Sequence, residues 1–207
     1  MSENIAPPIV SETIQEVLSK AYSYSEYRAL IDSSLAESKT TGENHSEEYL
    51  HYSNLNVQRM SRLDRTTKLD EALIENISNI SEKQTWLILT EAWCGDAAQN
   101  IPVIQKMAEL NENIEVKLIL RDENLEIMDA YLTNGGRSIP KLIAFNLETQ
   151  EELFTWGPRP QNAQELFMDF KTNPNGRTYA DFSIEMQKWY AKDRTKSLQD
   201  EFVELLR

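Results

Sequence analysis

No other stretch limits the fold of this chain as tightly as residues 84–102, QTWLILTEAWCGDAAQNIP. It opens with Trp86-Leu87-Ile88-Leu89, an apolar run of a length and type that suit a buried strand. The chain then turns through Glu91-Ala92-Trp93 into Cys94, the single cysteine of the sequence. Beyond it, Ile101, Ile104, Met107, Ala108 and Leu110 recur at three- and four-residue steps and predict a helix. At a strand-to-helix turn, backbone N–H groups and the helix dipole converge on a cysteine and favour thiolate over thiol.

The rest of the sequence divides around that stretch. Residues 1–8 read as a loose arm. Val10, Ile14, Val17, Leu18 and Ala21 then predict an amphipathic helix, and Tyr24, Tyr27, Leu30, Ile31 and Leu35 a second one after Ser23. A polar run around Gly42 predicts a loop. Tyr49, Tyr52, Leu55, Met60 and Leu63 form a third helical stripe, with Asn44 and Glu47 spaced as a capping box. Leu69, Leu73, Ile77 and Ile80 predict a short helix before the first strand. After the Cys94 helix come a strand over 115–121 and a short helix through Leu125, Ile127, Met128 and Leu132, which Gly135-Gly136 would end. Strands over 141–146 and 152–156 follow, then a helix over 161–171 carrying Ala163, Leu166, Phe167 and Phe170 inward. Past Asn173-Pro174-Asn175-Gly176, one long helix is predicted, with Phe182, Met186, Trp189, Leu198, Phe202 and Leu205 on its apolar side. The organisation is therefore an α/β core over residues 84–173, a helical N-terminal extension over 1–83 and a helical C-terminal extension over 174–207 packed on the core. The core order is βαβαββα, with a mixed four-stranded sheet and the first strand central because it is the most uniformly apolar.

Several motifs together resemble the thioredoxin-like superfamily. Trp93-Cys94-Gly95 is similar to the first half of the thioredoxin WCGPC site, and Pro102 follows Cys94 by eight residues, where thioredoxins carry a helix-kinking proline. Gly136-Arg137-Ser138-Ile139-Pro140 ahead of Leu142-Ile143-Ala144-Phe145 resembles the cis-proline loop and its strand. The WCGDA, GGRSIP and TWGPRP segments together are similar to a single-cysteine branch of that family. The resemblance implies a cis Pro140 facing Cys94, with the backbone of Ile139 free to pair with an extended peptide or a thiol. It also places Ala97 at the resolving-cysteine position and Ile88 where thioredoxins bury an acid. Those two departures agree, since a buried acid without a thiol to serve would be an unpaired charge. An internal dithiol cycle is therefore excluded.

What remains is exchange at Cys94 with an external resolving thiol, on a protein or low-molecular-weight partner. The alternative is a non-catalytic binding or redox-sensing module. Iron–sulfur sharing between two copies would need a basic thiol-binding groove, which an acidic chain does not obviously supply. No cofactor is implied. A homodimer through the helical extensions is a further possibility.

Charge and composition narrow the partners. The net charge of −13 over 207 residues argues against nucleic acid or an anionic membrane as partner. No apolar run approaches bilayer-spanning length. The N-terminus lacks the basic and apolar regions of a signal peptide. With one cysteine there is no internal disulfide, and a reducing cytoplasm is the expected location.

At the site itself, Asp96 complicates the thiolate. Two like charges about 6 Å apart cost on the order of 0.7 kcal/mol in water and about 2.8 kcal/mol at an effective dielectric of 20. The dipole returns only about 0.3–1 kcal/mol. An exposed Cys94 facing an exposed Asp96 should therefore have a pKa of about 7–8; Asp96 could equally serve as a capping acid. By the same resemblance Gly95, Ser138, Ile139 and Pro140 are expected to border the thiol. Arg137 is either a carboxylate or thiolate partner or a surface charge, and Trp93 either a flat binding wall or edge packing. Arg159, in the rigid Trp156-Gly157-Pro158-Arg159-Pro160 loop, could reach the rim. Gln99 and Asn100 have no assignable role, and His45 and His51 have no metal-ligand spacing.

Overall fold

Strand β1 (Gln84–Thr90) is buried at every position after Gln84, as an apolar run with no residue left for solvent requires. In the computed structural model residues 11–207 are described. The predicted arm over residues 1–8, and Val10, lie outside them. The sheet order is β2-β1-β3-β4. Strand β2 (Ile114–Leu120) pairs parallel to β1, with Ile88 opposite Leu118. Strand β3 (Lys141–Asn146) pairs antiparallel on the other side, with Ile88 opposite Leu142. Strand β4 (Glu152–Trp156) closes the sheet against β3, with a register shift at Ala144/Phe145. The protein is thus α/β, with a mixed sheet and β1 inside it. The free side of β2 is blunted by Tyr22, whose backbone exchanges two 2.8 Å hydrogen bonds with Leu118.

Helices flank this sheet. Ahead of it run α1 (Ser11–Lys20), α2 (Tyr24–Ala36), α3 (Glu47–Thr66) and α4 (Glu71–Ser78). A reciprocal capping box of Ser23 and Glu26 starts α2. The expected Asn44 box at α3 is corrected: Ser46 is the cap, accepting from Tyr49 N–H, while Asn44 accepts from Ser46 N–H in the loop before it. Tyr24 and Arg28 of α2 both reach the Asp64 carboxylate of α3. Helix α5 (Gly95–Ala108) connects β1 to β2. Its Lys106 donates to the carbonyls of Asp64 and Thr67, tying it to the C-terminal end of α3. Leu110, assigned to this helix from its spacing, falls beyond its end and is exposed.

Two further differences have local causes. Helix α6 (Leu125–Ala130) stops before the glycine pair. Gly135-Gly136 instead closes a tight turn in which Thr133 and Gly136 pair, with Gly135 at φ +75°. After α7 (Gln161–Thr172), the single C-terminal helix expected from the sequence is two, α8 (Tyr179–Asp193) and α9 (Lys196–Leu205). Arg194 and Thr195 between them are left-handed, at φ 53° and 69°. The Asp193 carboxylate then accepts from the N–H and hydroxyl of Ser197 in the first turn of α9.

The break serves two separate hydrophobic clusters. Phe182, Met186 and Tyr190 of α8 bury against Ala163 and neighbouring apolar residues of α7. Leu198 and Phe202 of α9 join the main core, which also takes in Tyr27, Met60, Leu73 and β1. The Phe202 ring lies 5.6, 6.2 and 5.7 Å from those of Trp86, Phe154 and Trp156.

Candidate functional site

Cys94 is the N-cap of α5 because the chain leaves β1 extended and turns once before the helix starts. Its Sγ accepts a hydrogen bond from Ala97 N–H at 3.4 Å and donates one to the carbonyl of Ile139 at 3.3 Å. The Ile139–Pro140 peptide is cis, and the loop it shapes stands directly against the sulfur. Ser138 is half-buried beside it, its N–H turned back to Gly136 O. Ala97 and Ile88 are buried without polar function.

The thiol itself corrects an expectation. Cys94 is only 8% exposed, and burial first, then the Asp96 carboxylate, push its pKa up to about 12. The value of 7–8 presumed a solvated sulfur; here desolvation outweighs the single N–H from Ala97. Asp96 also differs from both readings of it. One oxygen takes Arg159 Nε at 3.0 Å and Nη2 at 2.6 Å, and the other takes the Tyr190 hydroxyl at 2.7 Å. It is neither a free charge nor a helix cap. Arg159, 9% exposed, is held further by Gln164 Oε1 at 2.6 Å and lies 4.5 Å over the Phe167 ring.

The TWGPRP loop brings Arg159 there through Gly157. This glycine sits at φ +111°, and a Cβ on it would lie 2.2 Å from Pro140 O, so two loops distant in sequence meet backbone to backbone. A Cβ on Gly95 would meet Gln187 of α8 at 3.0 Å. Gln187 in turn accepts from Gln99 at 2.7 Å. Asn100 donates to Asp96 O at 2.8 Å and to the Tyr190 hydroxyl at 3.1 Å. Gln99 and Asn100 therefore have a role the sequence did not reveal: they fasten α8 over the start of α5.

Arg137 is a half-exposed surface charge. It binds Asp129 through two hydrogen bonds of 2.6 and 2.8 Å and makes no contact with the thiol. Trp93 is half-buried, its ring 5.1 Å from that of Tyr49 and 4.9 Å beneath the Arg121 guanidinium. Beside it, Glu91 is fully buried. Its Oε1 accepts from Asp122 N–H at 3.0 Å while Oε2 has no hydrogen-bond partner. Burial pushes this carboxyl above the usual carboxylate range. His45 accepts from Thr40 N–H. Among the described residues no group of three or more His, Cys, Asp or Glu side chains is placed to hold a metal.

Cys94 opens onto a cavity of about 530 Å³. It is lined by Cys94, Ser138 and Ile139, and by residues of α3 and α8 including Tyr49, Arg59 and Tyr179. Sequence reasoning missed Arg59, Glu91, Gln187 and Tyr190 as site residues. Each lies on a turn or a helical stripe that reads as ordinary packing, and no local signal marks them.

A central strand, a cysteine capping the helix that follows it, and a proline loop facing the sulfur define a protein of the thioredoxin-like fold with a single thiol at its site. The chain belongs to the thioredoxin family: a family model described as thioredoxin matches residues 42–172, so the match includes α3 and α4 as well as the sheet. No curated protein matches the chain. Among solved structures, a protein of unknown function from Pseudomonas aeruginosa is similar, with a TM-score of 0.58 and 16% identity over 93% of this chain and 95% of that one. An HIV epitope-scaffold is similar with a TM-score of 0.52 and 18% identity, over 89% of this chain and 98% of that one. At these identities the likeness is one of fold, and its extent takes in the flanking helices.

Proposed function

We propose that the protein carries out thiol–disulfide exchange through Cys94, resolved by an external thiol. The observation that carries this reading is the position of the sulfur: it caps α5, lies 3.3 Å from the Ile139 carbonyl, and opens onto the cavity. In the first step the Cys94 thiol loses its proton to solvent and the thiolate attacks one sulfur of a disulfide RS–SR. The Cys94–SR bond forms, the S–S bond breaks, and RS⁻ leaves. In the second, an external thiolate R′S⁻ attacks the R sulfur, releasing RS–SR′ and restoring Cys94. No net oxidant is needed, and Ala97 supplies no competing thiol.

The first step is slow in the resting state. Burial holds the Cys94 pKa well above that of a free thiol, so the thiol form dominates at pH 7. A bound partner that takes the Ile139 carbonyl as its own hydrogen-bond acceptor frees the S–H from it. The protonated resting thiol equally favours a second reading, in which the pocket binds a partner and Cys94 is no catalyst, only a slowly oxidised sensor.

The two readings separate by mass spectrometry and kinetics. The protein is incubated with a mixed disulfide of a small thiol and a peptide, then with excess reduced thiol. Exchange predicts a Cys94 adduct that forms and is released, with turnover abolished in Cys94→Ser. An adduct that forms but accelerates no turnover supports the sensor, and no adduct at all removes the exchange reading.

A further inference from the structure

The cavity on Cys94 gathers arginines in a negative protein. Four arginines, Arg59, Arg121, Arg137 and Arg159, line it against two carboxylates, Glu48 and Asp96, although the chain carries −13. Three of those arginines are already paired: Arg121 with Asp122, Arg137 with Asp129 and Arg159 with Asp96. Asp96 is closed off by that pairing and by Tyr190. Glu48 stands exposed in the first turn of α3.

Arg59 forms no ion pair among the described residues. Its Nη1 donates instead to the neutral Oδ1 of Asn56 at 2.6 Å. Asn56 is buried and donates its own Nδ2 to Ala92 O at 2.8 Å, two residues before the thiol. A guanidinium anchored through an amide keeps both its direction and its full charge, whereas a carboxylate anchor would cancel the charge. A Cβ on Gly95 would lie 3.7 Å from Nη1, so the cation stands over the residue next to Cys94. Burial first, and then the neighbouring Arg62, push the Arg59 pKa down; the fold holds this cation in place against both.

We propose that Arg59 is a specificity-determining residue that directs carboxylate-bearing low-molecular-weight disulfides, in preference to neutral ones, onto Cys94. This rests on the exchange reading above and adds the substrate class. The carboxylate lies against the open edge of the guanidinium while a sulfur of the disulfide reaches Sγ. The aromatic rings of Tyr49, Trp93 and Tyr179 line the space around the rest of the molecule. The cation comes from α3, outside the strands and helix that position the thiol, so the extension sets the charge of what the core can attack.

Stopped-flow rates with two aromatic disulfides test the proposal: dithiobis(nitrobenzoate), which bears a carboxylate on each ring, and neutral dithiodipyridine. Each rate is divided by that of a free thiol at the same pH. Arg59→Gln, which removes the cation and keeps a polar side chain, should slow the carboxylate reagent by roughly tenfold and leave the neutral one within about twofold. Arg59→Lys should recover part of the loss. In the unaltered protein, added salt should slow the carboxylate reagent selectively, a measurement that needs no variant to fold. Equal rates for both reagents, or an equal loss of both in Arg59→Gln, overturn the role of Arg59 while leaving exchange at Cys94 standing. No reaction of either reagent removes the exchange reading and this proposal with it.

Discussion

The sulfur of Cys94 has one donor on it, Ala97 N–H, and spends its own proton on Ile139 O. The nearest charges, Asp96 and Arg159, are occupied with each other. Removing the anion of that pair should favour the thiolate, because the Arg159 cation would then act on the sulfur unopposed. Asp96→Asn is therefore expected to raise the rate of iodoacetamide alkylation at pH 8, whereas the unaltered thiol should show a rate still climbing with pH above 10, given its pKa of about 12. The same change strands a buried guanidinium and should cost about 3 kcal/mol in urea unfolding. An alkylation midpoint between pH 7 and 8 in the unaltered protein would contradict the buried geometry. Glu91 gives a second prediction. Its folded pKa is raised, so the native state binds more protons than the unfolded chain, and stability falls as pH rises from the unfolded value through the folded one. Urea midpoints should be higher at pH 5 than at pH 8 on this account. Glu91→Gln should flatten that difference and stabilise the protein by about 1 kcal/mol at pH 8.

At the level of elements, the site is a meeting of two loops and two helix ends. Gly157 is the point of closest approach: at φ +111°, with a Cβ falling 2.2 Å from Pro140 O, it leaves no room for a side chain. Gly157→Ala should lower stability by about 3 kcal/mol or more. It should also loosen Arg159 from Asp96, leaving the carboxylate less opposed beside the sulfur, which can be read as slower alkylation of Cys94 at fixed pH. A variant of unchanged stability would mean that the two loops can part without consequence. Gly95 depends in the same way on α8, since Gln187 occupies the space above it. The elements that confine the thiol are thus not those that position it. Strand β1 and α5 place the sulfur; α3, α8 and the TWGPRP loop decide what surrounds it.

For the whole molecule, the division of the C-terminal segment into α8 and α9 ties the thiol cavity to the sheet. Phe202 is fully buried among Trp86, Phe154 and Trp156, and Phe202→Ala should cost about 3–5 kcal/mol by circular dichroism in urea. Because α9 follows α8 after a two-residue joint, the same variant should weaken the packing of α8 over Gly95 and expose the thiol; alkylation unchanged at conditions where the protein stays folded would separate the two helices. None of the helices among the described residues is long and apolar enough to cross a membrane. Much of this was legible in the chain. The buried β1, the helix that Cys94 caps, the proline loop, β3 and β4 were all visible because hydrophobic period, Gly/Pro punctuation and a solitary cysteine are local signals. The joint at Arg194-Thr195 was not, since neither residue is a glycine and the apolar stripe runs through both helices. Nor was the state of the thiol. Desolvation and charge pairing belong to the assembled neighbourhood: Ile139 arrives from 45 positions away and Tyr190 from 94 positions beyond Asp96. The linear chain settled that one sulfur would sit at the head of a helix beside a proline loop. Three-dimensional packing settled that it is buried against Ile139 O, which carboxylate is silenced by Arg159, and that Arg59 is left without an ion-pair partner among the described residues.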